Sequence, residues 1–314
     1  MERIKSQLIE KWEEISKNKN QSDFSVLRFD DDCEANFYIG INDKNNKCIL
    51  HSLDNVNLNF EGFEKTNLKA YKNSKYLILE LIDDDEYLDL FLDLSYSIFE
   101  KIKDITIAQN SALIFKEMIL RWSTFFTNKK TDKLGEKQVM GLWGELFILK
   151  EFIKQKKISV NDVLIAWRGP YKGNRDFEFD NFHLEVKSIK SDSEKINISS
   201  EFQLEHENGI EINLRVLKLR GDSEGLNISY IVHEIIIILN QLNADLEIFY
   251  SALFQIVKLN DLIKYDDLCF AINSDKTYLV IENEFPLINS KSLKEGVSDV
   301  NYQIALNKIE TFIK

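Results

Sequence analysis

Two prolines and eleven glycines in 314 residues leave few points at which the chain must break. That scarcity excludes collagen-like, linker-dominated and low-complexity organisation. Cysteine is also sparse: Cys33, Cys48 and Cys269 are scattered, odd in number and free of any CxxC spacing. This argues against a disulfide framework or a structural zinc site and predicts a reducing, cytoplasmic setting. His51, His183, His206 and His233 show no metal-ligand spacing with one another or with cysteine. A Gly-rich phosphate loop ending in Gly-Lys-Ser or Gly-Lys-Thr is missing, so any ATP-driven step would have to come from a partner. The first residues, Met1-Glu-Arg-Ile-Lys5, lack the apolar core of a signal peptide. The longest apolar-looking stretch, residues 228–239, is interrupted by Ser229, His233 and Glu234 and falls short of the about 20 residues a membrane span needs. Neither secretion nor membrane association is expected. Positive charge is short as well: a net charge of −12 weighs against a broad basic footprint on nucleic acid. Against that total, Arg168, Lys172, Arg175, Lys187, Lys190 and Lys195 are concentrated in one stretch, although ordinary solvated charges would look the same.

What the chain does contain is 44% apolar and 29% charged residues, the profile of a well-ordered globular protein. Its length favours two packed domains. Residues 2–18 read as a helix. Alternating runs at residues 37–41, 48–51 and 76–82 read as strands. Polar turns at residues 42–46 and 83–86 separate them, which suggests an antiparallel meander. Helical periodicity runs from about residue 88 to residue 126, and the polar run Thr127-Asn-Lys-Lys-Thr-Asp-Lys133 is the best domain boundary. The expected division is therefore an accessory, β-rich region at 1–130 and a second domain at 131–314. That second part reads as a strong helix over 134–154, then strands at 160–166, 176–179, 183–189 and 212–219. Helices follow at 226–242 and 246–256, then strands near 268–272 and 278–281 and a closing element through Ile313. The alternation indicates a mixed α/β fold.

The chemistry concentrates in Asn174-Arg-Asp-Phe-Glu-Phe-Asp-Asn-Phe-His-Leu-Glu-Val-Lys187. Its polar–apolar alternation breaks at Asp180-Asn181, a pair that tolerates the positive φ of a tight hairpin turn. With that turn, Glu178 faces His183, Phe177 faces Leu184, and Asp176 lies opposite Glu185 with Cβ atoms about 5 Å apart. One face then carries Phe177, Phe179, Phe182, Leu184 and Val186 and must be core. The other, wet face carries Asn174, Asp176, Glu178, His183, Glu185 and Lys187. Two carboxylates so close repel unless a cation lies between them, and a hard ion such as Mg²⁺ or Mn²⁺ takes one or two carboxylates plus waters and phosphate oxygens. Lys187 can orient or deprotonate a water on that ion and stabilise charge growing on phosphorus, so phosphodiester hydrolysis is the natural reaction. A half-exposed hairpin with a cross-strand ion pair would show the same residues.

Support comes from the preceding helix. Glu145 has Leu142, Leu149 and Phe152 at i−3, i+4 and i+7, which sets it on the apolar stripe, where an unpaired carboxylate is costly. Lys150 and Glu151 fall where a solvated face would tolerate them. Gly141 and Gly144 weaken the helix and are most simply explained by another backbone approaching closely. A Glu at the edge of the stripe reaching solvent is the alternative.

The ordered segments Gly141-Leu-Trp-Gly-Glu145, Trp167-Arg-Gly-Pro170, Asp176-Phe-Glu-Phe179, Glu185-Val-Lys187 and Ile198-Ser-Ser-Glu-Phe-Gln-Leu204 resemble the PD-(D/E)XK nuclease superfamily. Within it they resemble a branch found near bacterial restriction and phage-defence genes. The resemblance implies a restriction-endonuclease-like core with a mixed central sheet flanked by helices. It makes Asp176 and Glu185 metal ligands, adds the Val186 carbonyl to them, makes Lys187 the catalytic lysine and Glu145 the acidic residue of the preceding helix. Arg175 stands where the motif's name has proline, a common departure. Gln203 lies where related nucleases often place a polar helical residue, but Ser200-Glu-Phe-Gln203 also reads as a helix capping box, the slightly favoured alternative. The implied activity is Mg²⁺- or Mn²⁺-dependent endonucleolytic cleavage of DNA, double-stranded by preference, in restriction or phage defence. An ATPase or other defence-system protein is a compatible partner, and a homo-oligomer is compatible too. The rivals are a glycosidase, which needs two carboxylates roughly 5 to 9.5 Å apart in a sugar cleft, and a catalytically inactive scaffold or DNA-binding subunit of a defence complex, which the acidic charge favours. No sugar cleft is indicated.

Overall fold

The computed structural model describes residues 2–18, 24–82, 84–126 and 133–314. The expected boundary run lies outside them except for Lys133, as does Asp83 of the expected second turn. The chain divides into two compact units, residues 1–130 and 131–314.

The first unit opens with α1 (Glu2–Asn18), followed by β1 (Ser25–Arg28), β2 (Phe37–Ile41), β3 (Lys47–Ser52), β4 (Phe63–Glu64), β5 (Leu68–Lys72), β6 (Tyr76–Leu81), α2 (Asp84–Ile102) and α3 (Ala108–Trp122). All neighbouring strands are antiparallel, in the order β1-β2-β3-β6-β5-β4 rather than a sequential meander. The ten residues between β3 and β4 are long enough to carry the chain past the next strand position, so two short meanders meet at β3 and β6. Residues 84–86, expected in a turn, instead begin α2. The three helices pack against this sheet, and the indole of Trp12, fully buried, donates to the Cys48 carbonyl at 3.2 Å.

The second unit contains α4 (Glu136–Gln155), α5 (Val160–Ala166), β7 (Phe177–Glu178), β8 (Phe182–Lys190), β9 (Lys195–Ile198), β10 (Glu211–Leu226), α6 (Ile228–Gln241), α7 (Leu246–Leu253), α8 (Leu259–Leu262), β11 (Phe270–Leu279) and β12 (Tyr302–Ala305). Its principal sheet has the order β11-β10-β8-β7 and is mixed: β10 runs parallel to β8, and the outer pairs are antiparallel. With helices, a mixed sheet and an antiparallel sheet in one chain, the fold is α/β of the mixed, α+β kind.

Residues 160–166 form α5, not a strand. Their aliphatic content reads as β, but Ser159 caps the segment by accepting from the Asp162 amide at 3.2 Å and so commits it to a helix. The two strands expected near 268–272 and 278–281 are one, β11, because Ser274 and Asp275 stay paired with β10 and the unpaired Asn273 is absorbed as a bulge at the register shift between Lys218 and Leu219.

Both faces of the sheet are covered. On one, α4 presses close: a side chain at Gly144 would meet the Ser188 hydroxyl at 1.9 Å and Leu217 at 3.3 Å. Phe152 packs on the rings of Phe177, Phe179 and Phe182. Gly141 has open space around it, so the close approach expected at both glycines occurs at Gly144 alone. On the opposite face Ile212, Leu214 and Val216 pack with Ile196, Ile198 and Leu204 and with Ile304, Leu306 and Ile309, under the antiparallel pair β9–β12. Lys150, expected on a solvated helix face, is buried and paired with Glu234 at 2.8 Å, and Glu151 is bonded to Arg215 at 2.6 Å.

Candidate active site

The hairpin folds in the expected register, although neither Asp180 nor Asn181 takes the positive φ expected of its turn. Phe177 pairs with Leu184 and Glu178 with His183, and the Phe179 amide donates to the Phe182 carbonyl at 3.0 Å. Asp176 lies just before β7. Its backbone carbonyl accepts from the amides of Arg168 (2.8 Å) and Gly169 (3.1 Å), and its Oδ2 accepts from the Val186 amide at 2.7 Å. Asp176 is thereby fixed to the free edge of β8. A strand residue directs its N–H and C=O to the same edge, so the Val186 carbonyl also faces the Asp176 side.

Glu185, next along β8, is only 1% exposed. The wet face expected for it is therefore corrected: β9, β12 and Leu204 cover the sheet on that side, and the acid is set in the interior. Its Oε1 accepts from the Lys187 ammonium at 2.7 Å, while its buried Oε2 has no hydrogen-bond partner. A buried carboxylate oxygen without a donor is expensive unless something positively charged meets it.

Glu145 reaches the same place from α4. The Trp167 indole donates to its Oε2 at 2.9 Å. Between the two acids lies Gly169, in a short 3-10 turn (Gly169–Tyr171): a Cβ there would stand 2.4 Å from Glu145 Oε2 and 3.0 Å from Asp176 Oδ1. The absent side chain lets both carboxylates close against the backbone at Gly169. Thus Glu145, Asp176, Glu185, Val186 and Lys187, the residues singled out from the sequence, are brought together.

The electrostatics follow from this crowding. Burial, moderated by the Trp167 hydrogen bond and reinforced by Glu185, pushes Glu145 up to about 7, although part of its side chain still reaches solvent. Burial and the neighbouring Glu185 and Glu145 carboxylates hold Asp176 well above the usual carboxylate range. Glu185 is also raised, burial outweighing the help it receives from Lys187. For Lys187 burial opposes the charge, but Glu185, Asp176 and Glu145 together keep it above the ordinary lysine value. The site thus holds three acids that resist simultaneous ionisation beside one firmly charged amine.

Those features fit a hard divalent cation. The orphaned Glu185 Oε2 and the mutual repulsion of acids drawn together beside Gly169 are both relieved by positive charge. Among the described residues no three His, Cys, Asp or Glu side chains form a metal cage by themselves. Mg²⁺ does not need one, since it is ordinarily held by one or two carboxylates with oxygens from water and substrate.

Gln203, weighed from the sequence as either a polar site residue or a helix cap, lies in the site. Gln203 accepts at Oε1 from both the Lys187 ammonium (3.1 Å) and the Ser199 amide (2.8 Å). The capping-box expectation is overturned: residues 201–204 form turns, not a helix, and the Gln203 side chain is turned onto Lys187. Arg175, only 2% exposed, donates to the carbonyls of Gln203 (3.1 Å) and Glu205 (2.5 Å), to Glu207 Oε1 (2.5 Å) and to His183 Nδ1 (2.9 Å). It clamps the loop that presents Gln203, and nothing in the local sequence announces this. Its hydrogen bond also makes His183 Nδ1 an acceptor, and burial lowers that histidine's proton affinity. The basic stretch is partly consumed: Arg175 is internal, Lys187 belongs to the site and Lys190 pairs with Glu136 at 3.2 Å, leaving Arg168, Lys172 and Lys195 exposed.

Neither a curated protein nor a solved structure matches the chain. A family described as "Putative PD-(D/E)XK family member, (DUF4420)" matches residues 8–307, nearly the whole length and both units. The protein belongs to that family.

Proposed function

We propose that this protein is a divalent-metal-dependent DNA endonuclease that hydrolyses phosphodiester bonds, preferentially in duplex DNA. The observation that carries the proposal is the convergence of Asp176, Glu185 and Lys187 with Glu145 around Gly169, with one Glu185 oxygen buried and unpaired. A role in bacterial restriction or phage defence rests on the family resemblance alone.

Asp176 Oδ1, Glu185 Oε2 and the Val186 carbonyl are the atoms that would hold Mg²⁺ or Mn²⁺. When bound, the ion supplies Lewis-acid charge to a phosphoryl oxygen and makes a water more acidic. Lys187 keeps its proton between Glu185 and Gln203, so it serves as a fixed cation that stabilises charge developing on the phosphate rather than as the base. Glu145, oriented by Trp167 and poised near neutrality, is the group best suited to accept a proton from the attacking water.

Incubating the purified protein with plasmid DNA in Mg²⁺, Mn²⁺ or chelator tests this reading. Wild type is expected to nick or linearise the plasmid with metal only, and Asp176→Ala to be inactive while retaining its fold. Cleavage by Asp176→Ala at the wild-type rate would refute the assignment. The net charge of −12 favours a second reading, a DNA-binding scaffold that no longer cuts. In that case calorimetry would show DNA binding without Mn²⁺ binding or cleavage.

A further inference from the structure

Lysine in the middle of a covered sheet normally has a carboxylate to meet it. Lys218 lies on β10, between β8 and β11, and is half-buried, and Lys276 is exposed on the edge strand β11; among the described residues neither has an acidic partner. The register puts them side by side: Lys218 pairs with Ser274, and Lys276, two residues on, pairs with Val216. Val216 in turn pairs with Lys187 on β8. Lys187, Lys218 and Lys276 therefore share one face, ringed around Val216. Lys276 is two strands, or about 10 Å, from the active-site lysine. Unlike Lys187, the other two have no carboxylate to neutralise them.

Together they line a cleft of about 250 Å³, whose remaining polar lining comes from Ser191, Asn273, Ser274 and Glu310. Two ammonium groups on adjacent strands repel each other. Hydroxyl and amide donors beside them complete the set that a phosphate oxygen requires. Among the described lining residues, Glu310 is the one acid that opposes an anion there.

We infer that this cleft is a phosphate-binding subsite that holds the substrate's backbone away from the scissile bond, with Lys218 and Lys276 as its cationic contacts. The inference rests on the nuclease reading. It also answers the objection from net charge, because binding then depends on a local pair of unneutralised lysines rather than on a basic surface. Each contact releases counterions from DNA, and the observed affinity falls with salt by a slope of about 0.9 per phosphate contacted.

The test measures affinity for a fluorescent DNA duplex across a salt series in chelator, with plasmid cleavage in Mg²⁺ run alongside. Lys218→Gln with Lys276→Gln is expected to bind more weakly and to flatten the salt slope by about 2, roughly one per lysine. Between roughly 50 and 200 mM salt, the double variant should then lose about 12-fold less of its affinity than wild type does. Glu310→Gln should bind more tightly than wild type. An unchanged slope in a folded double variant, with wild type still binding and cutting, overturns the subsite and leaves the nuclease reading intact. Wild type that neither binds nor cuts overturns both. A double variant that loses pyrophosphate binding but keeps the DNA slope assigns the cleft to a free anion and overturns the backbone role.

Discussion

Replacing Gly169 with alanine drives a methyl group against the carboxylates of Glu145 and Asp176 that close on it. The new carbon would lie 2.4 Å from Glu145 Oε2 and 3.0 Å from Asp176 Oδ1, so both acids must retreat, Glu145 by about 1 Å, to reach ordinary contact. Gly169 does not have a positive φ, so alanine is tolerated by the backbone and the effect comes from the side chain alone. Asp176 is the less mobile of the two, because the Val186 amide and the Arg168 and Gly169 amides pin it. Glu145 must therefore swing and give up the Trp167 hydrogen bond, leaving a buried indole N–H unpaired at about 1–2 kcal/mol. In a unit of this size that is a fall of a few degrees in melting temperature. The loss of activity should be far larger, because a misplacement of about 1 Å at a reacting centre costs on the order of 100-fold. Plasmid cleavage in Mg²⁺ and Mn²⁺, with a thermal melt of the same sample, separates the two effects. Gly169→Ala that is folded and cleaves at the wild-type rate would show that the placement of Glu145 and Asp176 against Gly169 does not matter to the chemistry.

The raised acid at Glu145 makes stability depend on pH in a specific direction. An acid shifted from 4.5 to about 7 by folding is neutral in both states below about 4.5 and costs nothing there. As pH rises toward 7 the unfolded chain ionises first, so the metal-free fold loses on the order of 3 kcal/mol. Glu145→Gln should match wild type in melting temperature near pH 4.5 and exceed it by several degrees at pH 8; a constant offset across that range would contradict the shift. Saturating Mg²⁺ should raise the melting temperature of wild type at pH 8, measured by the same melts. Arg175→Met removes the clamp on residues 203–207 and should cost about 2–4 kcal/mol by denaturant titration. Because the same loop carries Gln203, kcat should fall at least about 10-fold with KM little changed. A folded Arg175→Met with normal kcat would mean that Lys187 is positioned without it.

The hairpin was legible because its information is local: the break in alternation at Asp180-Asn181 marks the turn, and period-two alternation then sets the partners Phe177–Leu184 and Glu178–His183, even though neither turn residue adopts the positive φ that its identity suggested. Glu145 was legible for a related reason, since a carboxylate on an apolar stripe needs an explanation wherever the helix packs. Where the sequence misled, a side chain outside the local pattern decided the outcome. Ser159 turns an aliphatic run into α5, and pairing along β10 carries three turn-forming residues through β11. The burial of Glu185 depends on β9 and β12, which join residues about a hundred positions apart, and no window on the hairpin contains that fact. Arg175 is the clearest case. In the motif it looks like a harmless replacement for proline, whereas its four acceptors come from His183 and the loop at residues 203–207, and they determine how Gln203 meets Lys187. The acids are thus specified by short-range sequence and the amine's orientation by long-range contacts. Substitutions far along the chain from residues 176–187 should accordingly alter how Lys187 is presented while leaving Asp176 and Glu185 in place.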